Sequence, residues 1–480
     1  MRLHQRTLLL LTMFVVSLAV TSLHAAEKPN ILFIFSDDHA AWAVGAAGDP
    51  HVQTPNMDRI YKEGARFTNA FTATPVCSPS RAEMMTGRYG SQLQITDWIN
   101  PRNEPKIGLD PTNPVWPRAL REAGYRTGLI GKWHLGTEEQ FHPTNFGYDY
   151  FMGFLAGGNK PKDPTLEVNG EEKQLKGLLP DILTDDAIDF IQKESDKPFL
   201  LSLHYRAPHA PWLPVADSDW APYKDLDPAI PNPDYPKLDT SKVKQKTREY
   251  LASITSVDRN IGRLLEELDN LGLSENTVVI YSSDHGYNMG HNGIWHKGNG
   301  HWILTQFPEP TKNIPKMQRP NMYDHSIRVP LAIRYPAMIK PGTVVEHTVG
   351  SLDWFATLLD LAGVEAPAVA TEYGRSFVPL MKGETPDDWN DDFYAEYSTH
   401  HQSQTHMRMY RTPEWKLIRD FLNPERDELY HLTEDPEENE NLIKSDDVVI
   451  LAVKDELSQR ILERMEAIND PLLTNLANIE

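Results

Sequence analysis

The clearest signal for the fold is the apolar run Asn30-Ile31-Leu32-Phe33-Ile34-Phe35, which leads directly into Ser36-Asp37-Asp38-His39. A short, continuous apolar run predicts a strand buried on both faces, as in a parallel sheet. Further runs predict strands at 125–130, 199–203, 277–281 and 329–333, with helices at 54–64, 80–87, 115–123, 184–193, 247–271 and 351–361. This alternation predicts an α/β fold with a large, mostly parallel or mixed central sheet flanked by helices.

Four of these predicted strands end in polar clusters, which are Asp37-Asp38, Lys132-Trp133-His134, His204 to His209, and Asp284-His285. In open α/β sheets the ligand site lies outside the carboxyl ends of the strands. One such cluster is compatible with an ordinary solvated loop, and paired acids also occur as helix caps. Four clusters at one edge of a sheet predict a single functional site.

The pattern changes near residue 373. Short alternating strands are predicted at 393–397, 407–410, 415–418 and 428–430, followed by a charged helix near 449–466. We therefore divide the chain into a large α/β domain, 27–372, and a smaller C-terminal α+β subdomain, 373–480, with a short antiparallel sheet and a terminal helix. Residues 290–320, rich in Gly, His and Pro, are predicted to form a loop beside the site.

The N-terminus has the features of a secretory signal peptide, which we place at 1–25. Basic residues precede an apolar run from Leu8 to Val20, and small residues close the segment. This predicts export to the periplasm or the exterior. No later apolar run approaches the length of a bilayer crossing, so stable membrane insertion is not expected.

The composition argues against broad binding to nucleic acid or to anionic membranes. Asp and Glu number 68 against 47 Lys and Arg, which gives a formal net charge of -21. Such partners require a basic face. An anionic substrate would therefore need a local basic pocket that overcomes the overall field.

The residues at the strand ends are suited to hydrolysis of an anionic ester. Asp37, Asp38 and Asp284 offer the oxygen ligands that Ca²⁺ requires, whereas His285 is a more usual ligand for a transition metal, so the residues alone leave the metal open. A cationic set suits a tetrahedral anion such as phosphate or sulfate and supplies acid–base groups. This set comprises Arg81, Lys132, His134, His209 and Lys297.

Cys77 is the only cysteine in the chain. A lone thiol cannot build a disulfide framework, and it is a liability in an oxidising compartment. We expect it just before a helix that begins near Ser80, where the helix dipole favours an anion. Because Pro79 and Arg81 are untypical of a core strand, a functional role for Cys77 is favoured over a buried apolar one.

The segment from Cys77 to Gly87, CSPSRAEMMTG, resembles the C-x-P-S-R-x-x-x-x-T-G signature of the type I, formylglycine-dependent sulfatases. Four more segments resemble family motifs, in the family's order. These are Ser36-Asp37-Asp38-His39, Gly131-Lys132-Trp133-His134-Leu135-Gly136, Pro208-His209-Ala210-Pro211 and Ser283-Asp284-His285-Gly286. Trp295-His296-Lys297-Gly298 is a fair match to the family's lysine motif, and the insertion after it is longer than usual. The resemblance covers nearly the whole mature chain.

This resemblance implies an alkaline phosphatase-like fold and a sulfatase in which a maturation enzyme converts Cys77 to formylglycine. A hydroxyl of the hydrated aldehyde then attacks sulfur. The implied Ca²⁺ ligands are Asp37, Asp38, Cys77, Asp284 and His285, although many relatives carry Asn at the last position. Arg81 and Lys132 would steady the diol and the metal. Lys132 and Lys297 would clamp the sulfate, His209 or Lys297 would protonate the leaving alcohol, and His134 would take the proton that releases sulfate.

The implied substrate is a sulfated carbohydrate or polysaccharide. Trp42, Trp98, Trp212 and Trp302 are candidates for stacking on sugar rings, although an aromatic residue near a loop more often serves packing. The 290–320 insertion is a candidate for shaping the pocket, and its alternative is a decorated surface loop. One alternative is a phosphodiesterase or phosphonate monoester hydrolase on the same scaffold. A second is a non-catalytic, sulfatase-like binding protein, which would result if Cys77 stayed unmodified.

Overall fold

The computed structural model describes residues 28–476, so the predicted signal peptide lies outside the described residues. The strands are β1 (Asn30–Ser36), β2 (Ala65–Phe67), β3 (Ala70–Phe71), β4 (Arg126–Lys132), β5 (Tyr150–Phe154), β6 (Thr165–Val168), β7 (Glu171–Gln174), β8 (Phe199–His204), β9 (Thr277–Ser283), β10 (Leu331–Arg334), β11 (Thr343–Val345), β12 (Val349–Gly350), β13 (Phe393–Thr399), β14 (Thr405–Arg411), β15 (Trp415–Asp420) and β16 (Glu428–His431). The helices are α1 (Pro55–Glu63), α2 (Cys77–Thr86), α3 (Gly90–Leu93), α4 (Trp116–Glu122), α5 (Leu179–Gln192), α6 (Asp217–Trp220), α7 (Thr240–Asn270), α8 (Asp324–Ile327), α9 (Trp354–Leu361), α10 (Val378–Met381), α11 (Val448–Ala467) and α12 (Pro471–Leu476). Within 28–476, no helix has the length and apolar character needed to cross a bilayer.

A ten-stranded mixed sheet forms the centre of the molecule, in the order β11-β2-β10-β9-β1-β8-β4-β5-β6-β7. Its middle, β9-β1-β8-β4-β5, is entirely parallel, whereas β10, β6 and β7 pair with their neighbours antiparallel. Strand β1 lies between β8 and β9, and Phe35 pairs with both His204 and Ser282. The predicted α/β class with a mostly parallel or mixed sheet is confirmed.

Both faces of β1 are covered, which explains its unbroken apolar sequence. Ile31 and Phe33 pack into one core together with residues of α2, α4 and α9. Leu32 and Ile34 pack into the opposite core, against residues of α1, α5 and α7. Each of these four side chains is fully buried. The sheet is therefore a middle layer, and its carboxyl edge is the accessible place for chemistry.

The C-terminal region contains the four predicted short strands, which form an antiparallel sheet in the order β13-β14-β15-β16. Helix α11 packs against β14 and β15. This α+β arrangement agrees with the prediction. The division of the chain between residues 372 and 373 remains a prediction.

Three helices begin well before the residue that the sequence predicts. Cys77 is the first residue of α2 and not a residue ahead of it, with Val76 in the N-cap position. Pro79 lies within the first turn, where proline is tolerated because its missing N–H has no helical acceptor. Helix α5 begins five residues earlier than Thr184, at Leu179, and α7 begins at Thr240.

Helix α2 carries a buried carboxylic acid that makes stability depend on pH. Glu83 has no exposed surface, and it accepts hydrogen bonds from Thr74 Oγ1 at 2.5 Å and from Ser351 Oγ at 3.2 Å. Burial raises the pKa of Glu83 from 4.5 to about 8, and the negative charge of Glu396 adds to the rise. Between these two values the unfolded chain releases a proton that the folded chain retains, so stability falls as pH rises.

We expect Glu83→Gln to remove this contribution, because an amide cannot titrate. Between about pH 5 and about pH 8, the unfolding free energy of the variant should fall by about 3 kcal/mol less than that of the native chain. Urea unfolding of both proteins at the two pH values measures the difference. Equal pH dependence of the two proteins would show that Glu83 is ionised in the folded state.

Candidate active site

The structure brings the predicted polar residues together at the carboxyl edge of the parallel strands. Asp37 and Asp38 follow β1, Lys132 is the last residue of β4, and Asp284 follows β9. Cys77 enters the same space from the start of α2. All five side chains are buried. The convergence follows from the topology, because β9, β1, β8 and β4 are consecutive parallel neighbours.

Four of the candidate metal ligands form one compact group. An oxygen of Asp37, an oxygen of Asp38, Cys77 Sγ and a ring nitrogen of His285 lie within 4.8 Å of one another. Asp284 is not a member of that group, although its Oδ1 lies 3.3 Å from His285 Nε2. The second oxygen of Asp284 is taken by Arg81, 3.0 Å from its Nε.

In this group a ring nitrogen of His285 and a carboxylate oxygen of Asp38, both hydrogen-bond acceptors, face each other. His285 Nδ1 lies 3.0 Å from the Gly286 carbonyl, to which it can only donate. Burial, reinforced by the charge of Lys297, lowers the pKa of His285, so the ring is neutral and Nε2 carries a lone pair. His285 Nε2 lies 3.3 Å from Asp38 Oδ1. Two acceptors at this distance repel each other unless a cation or a proton lies between them.

The carboxylates of the group likewise have too few hydrogen-bond donors and cations around them. Asp38 Oδ2 is buried and has no hydrogen-bond partner among the described residues. Burial, together with the charges of Asp37 and Asp284, raises the pKa of Asp38 to about 7 against the opposing effect of Lys297. Burial and the charge of Asp37 likewise raise the pKa of Asp284 to about 6. The donor set therefore fits a bound metal cation, which would satisfy the unpaired oxygen and the His285 lone pair together.

Two buried lysines flank this group. Lys132 Nζ lies 2.5 Å from Asp37 Oδ2, and Lys297 Nζ lies 2.7 Å from Asp38 Oδ1. Burial favours the neutral acid, but the charges of Lys132 and Lys297 outweigh it and hold the pKa of Asp37 well below its usual range. Lys297 Nζ also lies 2.9 Å from Cys77 Sγ. Two ammonium groups thus lie in the site of an acidic protein, each paired with a carboxylate, where they can contact an anionic substrate.

Arg81 and Ser80 position the Asp284 segment. The guanidinium contacts one carboxylate oxygen through both Nε and Nη2, each at 3.0 Å, and its Nη1 donates to the Lys132 carbonyl at 3.3 Å. Ser80 Oγ donates to the Asp284 backbone carbonyl. The first turns of α2 therefore connect the end of β9 to the end of β4.

Cys77 is enclosed by these groups and is only 2% exposed. Its Sγ lies 3.4 Å from both Asp37 Oδ1 and His285 Nε2. Burial and the charge of Asp37 raise the pKa of the Cys77 thiol to about 12, against the lowering effect of the two lysines. The unmodified side chain is therefore a protonated thiol at neutral pH, which is a weak nucleophile.

The two candidate acid–base histidines have different hydrogen bonds. His134 Nε2 lies 3.0 Å from the Ile99 carbonyl, to which it donates, and its buried Nδ1 has no partner among the described residues. His134 Nδ1 therefore keeps an unused lone pair. His209 Nδ1 lies 2.6 Å from the Ala210 carbonyl, to which it donates, so Nε2 of the neutral ring keeps a lone pair. Burial lowers the pKa of both rings, so both are neutral in the resting protein.

Arg206 is a residue that the sequence motifs did not identify. It is 3% exposed, its Nη1 donates to the Pro211 carbonyl at 3.0 Å, and its buried Nε has no partner among the described residues. Burial lowers the pKa of Arg206, and the negative charges of Asp37 and Asp38 oppose this. Its position in the polar segment 204–209 after β8 is the one sequence feature that indicates a place in the site, because Arg206 belongs to no motif.

The tryptophans differ in their suitability for stacking on a ligand. Trp212 is 4% exposed, donates from Nε1 to the Pro208 carbonyl at 2.7 Å and packs against Tyr250, so it belongs to the core. Trp98 is half-buried, and its ring centroid lies 4.4 Å from that of His401. Ile99, the residue after Trp98, contacts both Ser78 and His134. Trp98 therefore lies beside the site.

The 290–320 insertion packs against the rest of the molecule. Ile303 and Leu304 form an apolar cluster with Leu238 and with Val243 of α7. Arg319, just before the end of the insertion, pairs with Glu428 of β16. The first part of the insertion carries Lys297 to the candidate metal-ligand group, while a role of the rest of the loop in shaping the pocket remains a prediction.

Comparison with known proteins finds sulfatases that match most of the chain. The Sulfatase family profile matches residues 29–364, and a profile described as N-sulphoglucosamine sulphohydrolase, C-terminal, matches residues 317–467. An N-acetylglucosamine-6-O-sulfatase from Bacteroides thetaiotaomicron is 30% identical over 500 residues, covering 87% of this chain and 83% of that protein. The human N-acetylgalactosamine-6-sulfatase is 30% identical over 393 residues, covering 76% and 68%.

A solved structure gives the same result at the level of the fold. It is described as a complex with its substrate D-glucosamine-2-N,6-O-disulfate, and it matches with a TM-score of 0.78 and 27% identity. The match covers 93% of this chain and 99% of that chain. The family profile, the relatives and the solved structure all indicate a sulfatase, and together they cover nearly the whole described chain. The chain therefore belongs to the sulfatase family of the alkaline phosphatase-like superfamily and is a sulfuric ester hydrolase.

Proposed function

We propose that this protein removes sulfate from a sulfated carbohydrate, with formylglycine made from Cys77 as the nucleophile and Ca²⁺ as the metal. The observation that carries the proposal is the position of Cys77. Its Sγ lies at the start of a helix, 2.9 Å from Lys297 Nζ and 3.4 Å from a metal-ligand carboxylate. The named relatives act on sulfated amino sugars by their descriptions, which supports the substrate class.

The metal would be held by Asp37, Asp38, Asp284, His285 and the modified residue 77. Three carboxylates give the oxygen-rich surroundings that favour a hard cation such as Ca²⁺. When bound, Ca²⁺ supplies charge that stabilises developing negative charge on the ester oxygens and favours ionisation of the nucleophile. The aldehyde of formylglycine, once hydrated, supplies a hydroxyl that can attack sulfur.

The remaining residues bind the sulfate group and move protons. Lys297 presents its ammonium group to residue 77, and Lys132 presents its own to the neighbouring Asp37, where both can attract sulfate oxygens. Arg81 holds Asp284 in place through two contacts of 3.0 Å. The free lone pair on His134 Nδ1 can accept a proton. Lys297 can donate a proton to the departing alcohol, because the charge of Asp38 raises its pKa against the effect of burial and keeps it protonated. His209 can do so only after its Nε2 has taken up a proton, since its Nδ1–H is bonded to the Ala210 carbonyl.

Activity on a panel of esters tests this function. We expect hydrolysis of N-acetylglucosamine 6-sulfate and of 4-nitrophenyl sulfate, with much weaker turnover of bis(4-nitrophenyl) phosphate. A preference for the phosphodiester would favour the phosphodiesterase alternative and contradict the proposal. Inactivity on every ester, in protein shown to contain formylglycine, would contradict the assigned substrate class.

We also propose export and maturation as part of the same account. Residues 1–25 have the composition of a signal peptide, and an exported sulfatase would need a formylglycine-generating enzyme as a partner. N-terminal sequencing of the protein recovered from its host checks the first point. A mature protein that begins at Met1 would contradict it.

Removal of calcium should both inactivate and destabilise the protein. The site brings Asp37, Asp38 and Asp284 into one dry space, and a ligand that binds only the folded state at about 100 times its Kd adds about 2.7 kcal/mol. We expect EGTA to abolish hydrolysis and lower Tm, and calcium to restore both. In Asp38→Asn, the Tm difference between calcium and EGTA should shrink. If EGTA changed neither the Tm nor the activity, the result would contradict the calcium site.

A further inference from the structure

A second group of metal-binding side chains lies outside the candidate active site. His291 belongs to a short helical turn after β9, His325 belongs to α8, and Glu437 lies in the loop between β16 and α11. One ligand atom from each lies within 4.8 Å of the other two. The proposed sulfatase chemistry uses none of these three residues.

The distances within this group suit direct metal coordination. Glu437 Oε2 lies 2.9 Å from His325 Nε2 and 3.2 Å from His291 Nδ1. Ligands bound tetrahedrally at the usual zinc distances of about 2.0–2.1 Å are separated from one another by about 3.3 Å. Small adjustments would therefore allow all three atoms to bind one ion.

Hydrogen bonding alone does not explain the arrangement. His291 Nδ1 is buried, it is not aligned for a hydrogen bond with Glu437 despite the short distance, and it has no other partner among the described residues. The two imidazole rings lie close together, with their centroids 3.6 Å apart and their planes tilted by 32°. A shared metal satisfies the unpaired nitrogen and accounts for the close approach of the rings.

The backbone around the ligands is held by further contacts. Asn292 Nδ2 donates to the carbonyls of Glu437 and Glu438, at 3.2 Å and 3.0 Å. The Asp324 backbone N–H donates to Glu438 Oε2 at 2.6 Å, and Lys416 Nζ lies 2.7 Å from Glu438 Oε1. Neighbours of all three ligands are thus joined to one another, which fixes the backbone that carries the three side chains.

Solvent reaches one side of the group. His325 and Glu437 line a cavity of about 260 Å³ whose other walls include Trp42, Arg66 and Arg328. The side chain of Glu437 is 48% exposed, whereas that of His291 is 14% exposed. A metal can therefore enter from the cavity, and a water molecule can take a remaining position.

We propose that His291, His325 and Glu437 bind a second divalent metal ion of the zinc class, with one position open to water. Two imidazoles and one carboxylate form a nitrogen-rich set, which selects a transition metal over calcium. The ion joins the C-terminal loop that carries Glu437 to the 285–297 segment that delivers Lys297. Its role is to hold that segment in place, separately from the catalytic calcium.

Zinc binding to the calcium-loaded enzyme tests the proposal. Equilibrium dialysis against Zn²⁺ in saturating Ca²⁺, followed by metal analysis, should find a single zinc per chain. We expect Glu437→Gln and His325→Ala to weaken this binding by more than about 100-fold, beyond the loss caused by removing an outer-shell partner. His347→Gln, at a half-buried His–Asp pair elsewhere, is the matched control and should leave binding unchanged.

Two further results separate this site from others. Co²⁺ in place of Zn²⁺ should give the visible absorption of a low-coordinate complex in the native protein and lose it in Glu437→Gln, which keeps the side-chain size. Zinc binding that is lost in His400→Gln, and retained in Glu437→Gln, would assign the metal to the Glu104, His400 and His401 group and overturn the proposal. Absence of stoichiometric zinc in the native enzyme would overturn it as well.

Discussion

Replacing Cys77 with alanine is expected to abolish sulfate-ester hydrolysis. The proposed nucleophile is made from this side chain, and alanine cannot be oxidised to an aldehyde. Loss of a nucleophile that acts as a unit with its neighbours costs on the order of 10⁶-fold in kcat, so turnover should fall to the assay background. Alanine has the highest helix propensity, so α2 should persist and the overall fold should be retained. Initial rates on 4-nitrophenyl sulfate, with Tm and circular dichroism, measure both points.

The matched control for this experiment is the native sequence produced with and without a formylglycine-generating enzyme. The native protein should gain activity when the maturation enzyme is present, whereas Cys77→Ala should stay inactive in both cases. Substantial turnover by a folded Cys77→Ala protein would contradict the proposed nucleophile. It would direct attention to a metal-activated water as the attacking group.

The second large effect is expected from the residue that protonates the leaving alcohol. Loss of a general acid lowers the rate by about 10²–10⁴-fold when the leaving group is poor, and by much less when it is good. An alcohol of a sugar is a poor leaving group, whereas 4-nitrophenolate is a good one. The variant that removes the acid, His209→Gln or Lys297→Gln, should therefore lose activity on the sugar sulfate far more than on the aryl sulfate.

The comparison of the two leaving groups distinguishes proton transfer from structural damage. Lys297 also lies 2.7 Å from Asp38 and 2.9 Å from Cys77, so its loss should reduce activity on both substrates through weaker binding of the sulfate. His209 contacts the Ala210 carbonyl through Nδ1, and its loss should affect the sugar sulfate selectively if it is the acid. Equal losses on both substrates in both variants would rule out each of them as the acid.

The central sheet could be predicted because its strands are buried on both faces. The run from Ile31 to Phe35 is apolar throughout, since alternate residues enter two different cores. Strands β6 and β7 carried no comparable signal. Glu171 to Gln174 are all exposed, and they pair with β6 at the far edge of the sheet, so neither alternation nor a continuous apolar run marks them.

The beginning of α2 was misplaced for a local reason. Pro79 and Ser80 predict a boundary between an extended segment and a helix. Proline in the first turn is compatible with a helix, and the structure starts α2 at Cys77. The consequence is functional, because Cys77 belongs to the helix N-terminus itself, where backbone N–H groups have no helical acceptors.

The composition of the candidate site was largely predictable from strand ends and motifs, but its contacts were not. Lys297 lies 220 residues from Cys77 in sequence, and their contact at 2.9 Å depends on how the segment after β9 folds back. Arg206 lacked a motif altogether. His325 and Glu437 are 112 residues apart, and their contact joins α8 to a C-terminal loop through tertiary packing alone.

Mass spectrometry of the tryptic peptide that contains residue 77, taken from active enzyme of the native host, tests the central claim most directly. The account predicts that residue 77 has the mass of an aldehyde or its hydrate, and that the modified fraction tracks specific activity across preparations. An intact cysteine at position 77 in fully active enzyme would contradict the account.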